Sequence, residues 1–310
     1  MNKGFRYVLV FLSIWGLVLF GQENLLERDS LQAGNNERIP VFVSILPQKY
    51  FVERIGREKV EVSVMVGPGQ SPATYEPLPR QMSLLSQAVL YFSIGVPFED
   101  AWLEKIEAAS PRMRMIDTKA DIKRRQMERF FGEGVESRQG VTPKDHDHSG
   151  LDPHIWLDPV LVKQQAKKVF EALADFDPKN KGFYEHNLQK FLADLESLDQ
   201  EIKAAFAEQA YQRILVFHPA WGYFCDRYGL TQIPIEMEGK EPGPGELAQI
   251  IEFAKNEQIK VVFVQAQFSS RQAQTVAQAI GGKVISIDPL ALDYLDNLKR
   301  IAWTIKEELK

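Results

Sequence analysis

The amino-acid sequence predicts an α/β protein in which helices cross between the strands of parallel sheets. Two observations predict this fold class. Short runs rich in β-branched residues alternate with stretches whose apolar residues recur at helical spacing, which is typical of strand–helix–strand units. The alternation occurs twice, over residues 40–117 and from residue 213 onward. We therefore expect the same architecture in both halves, although no sequence repeat relates them.

The first half is predicted to contain strands with a helix between each successive pair. The predicted strands are residues 41–45, 60–66, 89–94 and 113–117. The predicted helices are residues 48–57, 80–87 and 99–108. Crossover helices of this kind connect parallel strands, so these strands are expected to form one parallel sheet.

The second half has the same alternation and ends on an additional helix. Its predicted strands are residues 213–217, 231–235, 260–264 and 283–287. Its predicted helices are residues 221–228, 245–256, 271–280 and 294–309. A second parallel sheet is therefore expected.

Three segments of another kind lie between the halves. Residues 131–150 are rich in Gly, Glu, Asp and His, lack apolar periodicity, and are predicted to form a loop. Residues 159–176 are predicted to be a helix with proline in its first turn. Residues 180–208 have a longer helical pattern, about 42 Å at 1.5 Å per residue. Such a helix can cross between two lobes, and the alternative is an ordinary packing helix within one of them.

Composition limits the kinds of partner and site. The 310 residues suffice for two domains, and the formal net charge of −5 is mild. Nucleic acid is excluded as a partner because its phosphates require a strongly basic surface. The single cysteine, Cys225, excludes an intramolecular disulfide and a cysteine-rich zinc site. Any metal must therefore be held by nitrogen and oxygen ligands.

The N-terminus has the pattern of a secretory signal. Lys3 and Arg6 precede an apolar run over residues 7–20, which is shorter than the roughly 20 residues that span a bilayer as a helix. We expect residues 1–21 to form the signal segment and the polar residues 22–37 to form a flexible tether. The protein is then periplasmic or otherwise extracytoplasmic. Leu19 is large for a residue just before a cleavage site, so an uncleaved membrane anchor is the alternative.

Three residues are candidate metal ligands. His154 lies among large apolar residues between two Asp-Pro turns, while His218 and Asp288 each directly follow a predicted strand. Open α/β sheets bind ligands at the carboxyl ends of their strands, and two imidazoles with a carboxylate suit zinc or manganese. Taken singly, such a histidine is more often a satisfied core residue, and such an aspartate is more often a helix cap.

The remaining histidines are weaker candidates. His146 and His148 lie in a short acidic loop that either binds metal transiently or carries them incidentally. His186 is predicted to be a solvated surface residue of the long helix.

Seven short sequence motifs occur along the chain in a fixed order. In chain order they are residues 45–47 (ILP), 67–77 (GPGQSPATYEP), 152–157 (DPHIWL), 217–224 (FHPAWGYF), 267–270 (QFSS), 287–290 (IDPL) and 293–295 (DYL). Together they resemble the substrate-binding proteins of zinc and manganese ABC transporters. Each motif alone is modest, but the ordered set is specific and covers nearly the whole chain after the signal segment.

The resemblance implies two α/β lobes, residues 38–179 and 210–310, joined by one long rigid helix over residues 180–209. It implies a metal in the cleft between the lobes, with His154 from the first lobe and His218 and Asp288 from the second. It also implies a non-enzymatic receptor, expected to be monomeric, that docks onto a membrane permease driven by an ATPase. Manganese-type members tend to have Glu where this chain has His218, so the expected metal is zinc, with manganese second.

One position departs from the family pattern. Ala73 stands where the family usually has a further histidine. The hypothesis is a site with three protein ligands and an open position. Water, Gln70, Glu76, or a histidine of the 146–148 loop are the candidates to complete it.

Two other functions remain open from the residues. Three ligands and an open position also suit a catalytic zinc hydrolase, with Glu76 or Glu241 as a general base, although neither a His-Glu-x-x-His helix nor a nucleophile elbow is present. A receptor whose metal site has decayed is the other alternative. Nearby, the aromatic residues 221, 223 and 224 either form a dry wall beside His218 or are ordinary core packing. Residues 236–244 are expected to form a solvated loop, and contact with the cleft or the permease is the alternative.

Overall fold

The first half of the chain forms one four-stranded parallel sheet. The computed structural model describes residues 38–127, 150–208, 212–236, 242–268 and 270–309. The strands are β1 (Ile39–Ile45), β2 (Val60–Val66), β3 (Leu90–Ser93) and β4 (Arg114–Asp117). The helices between them are α1 (Leu46–Gly56), α2 (Pro79–Leu85) and α3 (Pro97–Ala109). The sheet order is β2-β1-β3-β4, so β1 and β3 are adjacent at the point where the chain order reverses.

The second half repeats this arrangement. Its strands are β5 (Arg213–Val216), β6 (Thr231–Pro234), β7 (Val261–Val264) and β8 (Lys283–Ser286), and the sheet order is β6-β5-β7-β8. The helices are α6 (Gly222–Tyr228), α7 (Pro244–Asn256), α8 (Ser270–Ala279) and α9 (Tyr294–Glu308). All pairings are again parallel. The predicted fold class of two parallel-sheet lobes is therefore confirmed.

Two helices connect the sheets, α4 (Pro159–Phe176) and the 25-residue α5 (Lys181–Ala205). The backbone N–H of Val160 donates to the carboxylate of Asp158 at 2.7 Å, which caps the start of α4. One face of α5 is an apolar stripe, and with it the helix packs on α1, α4 and α9. The buried stripe consists of Tyr184, Leu188, Phe191, Leu195, Leu198 and Ile202.

The last helix returns to the first lobe. The ring of Tyr294 packs edge-on against Phe51 of α1, with the ring centroids 4.9 Å apart. Its hydroxyl donates to the backbone carbonyl of Trp156 at 2.7 Å, and the indole N–H of Trp156 donates to the carbonyl of Pro289 at 2.8 Å. Chain from the second half therefore completes part of the first half's core. The domain limits at residues 179/180 and 209/210 stay predictions.

Several expectations concern residues that the structure does not describe. The signal segment and the tether, residues 1–37, lie outside the described residues, as do His146, His148 and Glu241. Among the described helices, none is both long and apolar enough to cross a membrane. Cys225 is buried in α6.

Candidate metal centre

His218 is fixed at the carboxyl end of the central strand β5. Its backbone N–H donates to the side-chain oxygen of Gln265, at 3.3 Å, and the amide nitrogen of Gln265 donates back to the carbonyl of His218 at 2.8 Å. Gln265 directly follows β7, the neighbour of β5. The histidine therefore sits at the point of the sheet where open α/β folds bind their ligands.

A carboxylate from the other neighbouring strand orients the His218 ring. Just beyond β6, the backbone N–H of Glu236 donates to the carbonyl of Phe217 at 2.8 Å, which extends the β5–β6 pairing. This pairing places a carboxylate oxygen of Glu236 2.7 Å from Nδ1 of His218. Glu236 is 1% exposed, so it does not belong to a solvated loop, and the alternative that this segment contacts the cleft holds for Glu236. The sequence signal was its position directly after a predicted strand.

His154 has a similar partner from its own segment. Its Nδ1 lies 2.7 Å from a carboxylate oxygen of Asp152, and the same oxygen accepts from the backbone N–H of His154 at 3.0 Å. The short 3₁₀ helix Ile155–Leu157 follows and buries all three of its side chains. The ring is thereby held between a fully buried carboxylate and the core.

Asp152 is itself held by both halves of the chain. The guanidinium of Arg125 lies 3.6 Å from one of its carboxylate oxygens and also pairs with Asp226 of α6 at 3.0 Å. A Cβ on Gly222, at the start of α6, would lie 1.4 Å from Arg125 and 2.8 Å from Asp152. Glycine is therefore required there for α6 to approach these groups.

The two imidazoles face each other. Their Nε2 atoms are 3.4 Å apart, and each Nδ1 is paired with a carboxylate. An ionised carboxylate only accepts hydrogen bonds, so each Nδ1 carries a proton, and Nε2 of a neutral ring then presents a lone pair. Two nitrogen ligands of a tetrahedral zinc ion, at about 2.0–2.1 Å from it, are about 3.3–3.4 Å apart. The pair therefore has the spacing of two ligands of one ion.

Burial favours the metal-binding form of His154. Desolvation lowers the pKa of His154 and outweighs the nearby charge of Asp152, which raises it. The ring is therefore neutral at neutral pH, which is the form that binds a metal.

Asp288 is not assembled with the histidine pair. Its Oδ1 accepts from the side chain of Gln267 and from the backbone N–H of Leu290, both at 2.9 Å. Among the described residues, no group of three or more His, Cys, Asp or Glu side chains is arranged to hold a metal ion. The structure thus brings His154 and His218 together and leaves Asp288 apart, bonded to Leu290 of its own loop and to Gln267 of the loop after β7.

The aromatic wall beside the histidines is formed by residues other than 221 and 224. Phe268 stacks on His218 with the ring centroids 4.7 Å apart, and Trp156 packs against His154 at 5.1 Å. Trp221 and Phe224 are buried in the core and do not line the cavity at the histidines. Tyr223 supports the site indirectly, because its hydroxyl donates to the carbonyl of Asp152 at 2.9 Å.

A cavity of about 560 Å³ opens beside the histidine pair. His154, His218 and Ala73 all line it. Gln70 and Glu76 do not line it, and the side-chain oxygen of Gln70 accepts instead from the backbone N–H of Gly67 at 2.8 Å. His186 is exposed on α5, as expected.

Known proteins are similar to this chain in fold and in sequence. A crystal structure of ZnuA superposes with a TM-score of 0.80 at 42% identity, over 88% of this chain and all of that chain. The high-affinity zinc uptake system protein ZnuA of Bacillus subtilis is 27% identical over 285 residues, which is 88% of each chain. The manganese transporter lipoprotein PsaA of Streptococcus anginosus is 27% identical over 287 residues, covering 90% of this chain and 86% of that protein.

A sequence profile covers almost all of the described chain. The profile of the zinc-uptake complex component A, periplasmic, matches residues 41–308. The resemblance inferred from the seven segments is confirmed, and because the relatives are binding components of uptake systems, the hydrolase alternative is wrong. The chain belongs to the family of periplasmic zinc-uptake components A, the substrate-binding proteins of zinc and manganese ABC transporters.

Proposed function

We propose that this protein captures a divalent metal ion, zinc, on His154, His218 and Asp288 and delivers it to an ABC permease. The observation that carries the proposal is the pair of Nε2 atoms 3.4 Å apart, each backed by a carboxylate on Nδ1. Two lone pairs directed at one another repel unless a cation lies between them. A metal removes that repulsion and uses both nitrogens at once.

Asp288 is the proposed third ligand. Both hydrogen bonds it accepts from the described residues go to Oδ1, which leaves Oδ2 for a metal. Its donor Gln267 lines the same cavity as the two histidines, and so does the next residue, Pro289. A side-chain rotation of Asp288 toward the pair is therefore part of the proposal, and the attraction of the cation favours it.

The ligand set favours zinc over manganese. Imidazole nitrogens suit zinc, whereas manganese prefers sites dominated by oxygen. The matched relatives include proteins named for each metal. Two imidazoles in this chain tilt the set toward the zinc type.

The location and partners follow from the relatives. Named relatives are periplasmic or lipoprotein binding components. Residues 1–21 are proposed to act as an export signal, so that the mature protein meets its permease outside the cytoplasm as a monomer. The permease and its ATPase are the proposed macromolecular partners, and nucleic acid is not one.

Metal content of purified protein tests the proposal. We expect one zinc per chain by elemental analysis after reloading, and loss of that zinc in the double variant His154→Ala/His218→Ala. Asp288→Ala is expected to weaken zinc binding in calorimetry without removing it. His186→Ala is the matched control, since His186 is exposed on α5, and it should bind as wild type does. Reloaded wild type with no zinc would leave the alternative of a decayed site.

A further inference from the structure

The cavity beside the histidines is much larger than a metal ion requires. Its volume is about 560 Å³. A water molecule accounts for about 30 Å³ of liquid, so an ion with two bound waters fills only a small part of this space. The volume falls within the range of about 300–1,000 Å³ that is typical of sites for small organic ligands.

The coordination sphere is open toward this cavity. Ala73 lines the cavity and carries no donor atom, and Gln70 and Glu76 do not reach it. With His154, His218 and Asp288 bound, a zinc ion that prefers four ligands lacks one. A ligand that enters through the cavity can supply it.

Two cationic side chains, Lys119 and Arg124, line one part of the cavity. Gly95 has a φ of +91°, and a Cβ there would lie 2.6 Å from Cδ of Lys119 and 3.4 Å from a guanidinium nitrogen of Arg124. Both side chains therefore converge on the space that glycine leaves free. An anion bound beside both cationic side chains would be attracted by both.

The two cations differ in how far nearby carboxylates already neutralise them. Lys119 pairs with Asp117 at 2.7 Å, and within the described ranges no carboxylate pairs with Arg124. Glu99 also lines the cavity, but its oxygens accept from the backbone N–H groups of Ile94 and Gly95 at 2.9 and 2.7 Å. Asp100 lines the cavity as well and is exposed.

From these features we propose that the cavity receives the metal as a complex with a small carboxylate-bearing chelator. One donor of the chelator completes the coordination of the metal, and a free carboxylate lies against Lys119 and Arg124. The apolar side chains of Leu103, Trp156 and Phe268, which also line the cavity, cover the carbon skeleton. The inference rests on the proposed function, because it specifies the form in which that metal is bound.

Citrate is the probe, added to protein loaded with one equivalent of zinc. Native mass spectrometry is expected to show protein, zinc and citrate in a one-to-one-to-one complex. Calorimetric titration is expected to show citrate binding to zinc-loaded protein and none to zinc-free protein. Binding of citrate without zinc would overturn the inference in favour of a receptor for an organic anion.

Variants separate the two contacts of the chelator. Lys119→Gln/Arg124→Gln is expected to weaken citrate binding to zinc-loaded protein by at least about tenfold, because charge-assisted hydrogen bonds are lost. Affinity for zinc alone should stay as in wild type, which also shows that the variant folds. The matched control is Arg112→Gln/Lys123→Gln, which removes the same charge from exposed residues outside the cavity and should leave citrate binding unchanged.

Ala73→His tests the open coordination position. A fourth protein ligand is expected to raise zinc affinity and to weaken citrate binding. If zinc-loaded wild type binds no citrate, or if the double glutamine variant binds it as tightly as wild type, the inference is wrong while the zinc receptor stands. If zinc itself does not bind, with or without citrate, the proposed function fails.

Discussion

The two sheets have the same strand order, but their carboxyl ends are used differently. In the second sheet, each strand is followed by a polar side chain of the site, namely His218, Glu236, Gln265 and Asp288. His218 bonds to Glu236 and to Gln265, and Asp288 accepts a hydrogen bond from Gln267 of the loop after β7. In the first sheet, the corresponding edge is occupied by polar side chains that bond among themselves. This closed network consists of Ser44, Gln48, Tyr91, Glu99 and Thr118.

The first lobe therefore supplies its histidine from outside its sheet. His154 belongs to the segment that precedes α4, and its partner Asp152 is two residues away in the chain. His218 instead receives its carboxylate from a neighbouring strand, 18 residues away. The comparison teaches that a repeated architecture does not repeat its site. One edge carries candidate ligands, while residues that follow the other edge line the cavity beside them.

The largest expected effect is the loss of either histidine. His154→Ala and His218→Ala should each lower zinc affinity by at least about a hundredfold, more than the loss of an outer hydrogen-bonding partner costs. Each variant removes one of two equivalent nitrogens, so calorimetry should give similar losses. A loss confined to His218→Ala would show that the second lobe binds the metal alone.

The carboxylate partners should have the next largest effect. Asp152→Asn and Glu236→Gln keep the shape of the side chain but weaken the orientation and basicity of the ring, which typically costs about 10–100-fold in metal affinity. Zinc titrations of both variants measure this cost, with thermal unfolding as the check on folding. Unchanged zinc affinity in both would show that these pairs only stabilise the fold.

The pH dependence of zinc binding sharpens the comparison further. Because burial lowers the pKa of His154 from 6.5, this ring stays neutral until the pH falls below that value. Zinc affinity should be nearly constant from pH 7.5 to 7 and then fall in the acidic range, approaching about tenfold per pH unit for each proton displaced. A constant affinity from pH 7.5 to about 5 would contradict imidazole ligation.

The smallest effect on zinc is expected at the first sheet. Glu99→Gln should change zinc affinity by less than about threefold, since Glu99 belongs to the closed network rather than to the histidine pair. A change as large as that of Glu236→Gln would break the comparison between the two edges.

The same variant should nevertheless alter how stability depends on pH. Burial raises the pKa of Glu99 from 4.5 to about 7, against a lowering by the hydrogen bond from Ser44. Between these values the folded protein holds a proton that the unfolded chain releases, so the free energy of unfolding falls as the pH rises through 7. The quantity to measure is the melting temperature of zinc-free wild type minus that of zinc-free Glu99→Gln. This difference should be larger at pH 5.5 than at pH 8, by about 3 °C or more. An equal difference at both pH values would assign Glu99 an ordinary pKa.

The sequence predicted the elements of the fold because each has its own local signal. β2 and α4 begin and end at the predicted residues, and the other elements differ from prediction by a few residues at most. Positions of His218 and Asp288 at strand ends were likewise local inferences. The alternation of strands and helices was enough to identify the architecture.

The contacts of the site depend on strand order, which no local pattern reveals. Glu236 meets His218 because β6 lies beside β5, and Phe268 stacks on His218 because β7 lies on the other side. The ligand pattern of a family does not specify these neighbours. For residues 221 and 224, core packing was therefore the correct alternative to a wall beside His218. The ligand role of Asp288 stays a prediction.

The return of the last helix has a consequence for how the protein comes to be folded. Trp156 and Phe51 lie against Tyr294, whose hydroxyl reaches a carbonyl 138 residues earlier in the chain. A growing chain that ends before residue 294 cannot make these contacts, so the first lobe's core stays incomplete until Tyr294 has been synthesised. Contacts of such long sequence separation slow folding. Delayed completion of the first lobe's core would keep the chain unfolded for longer, which suits the export proposed for residues 1–21.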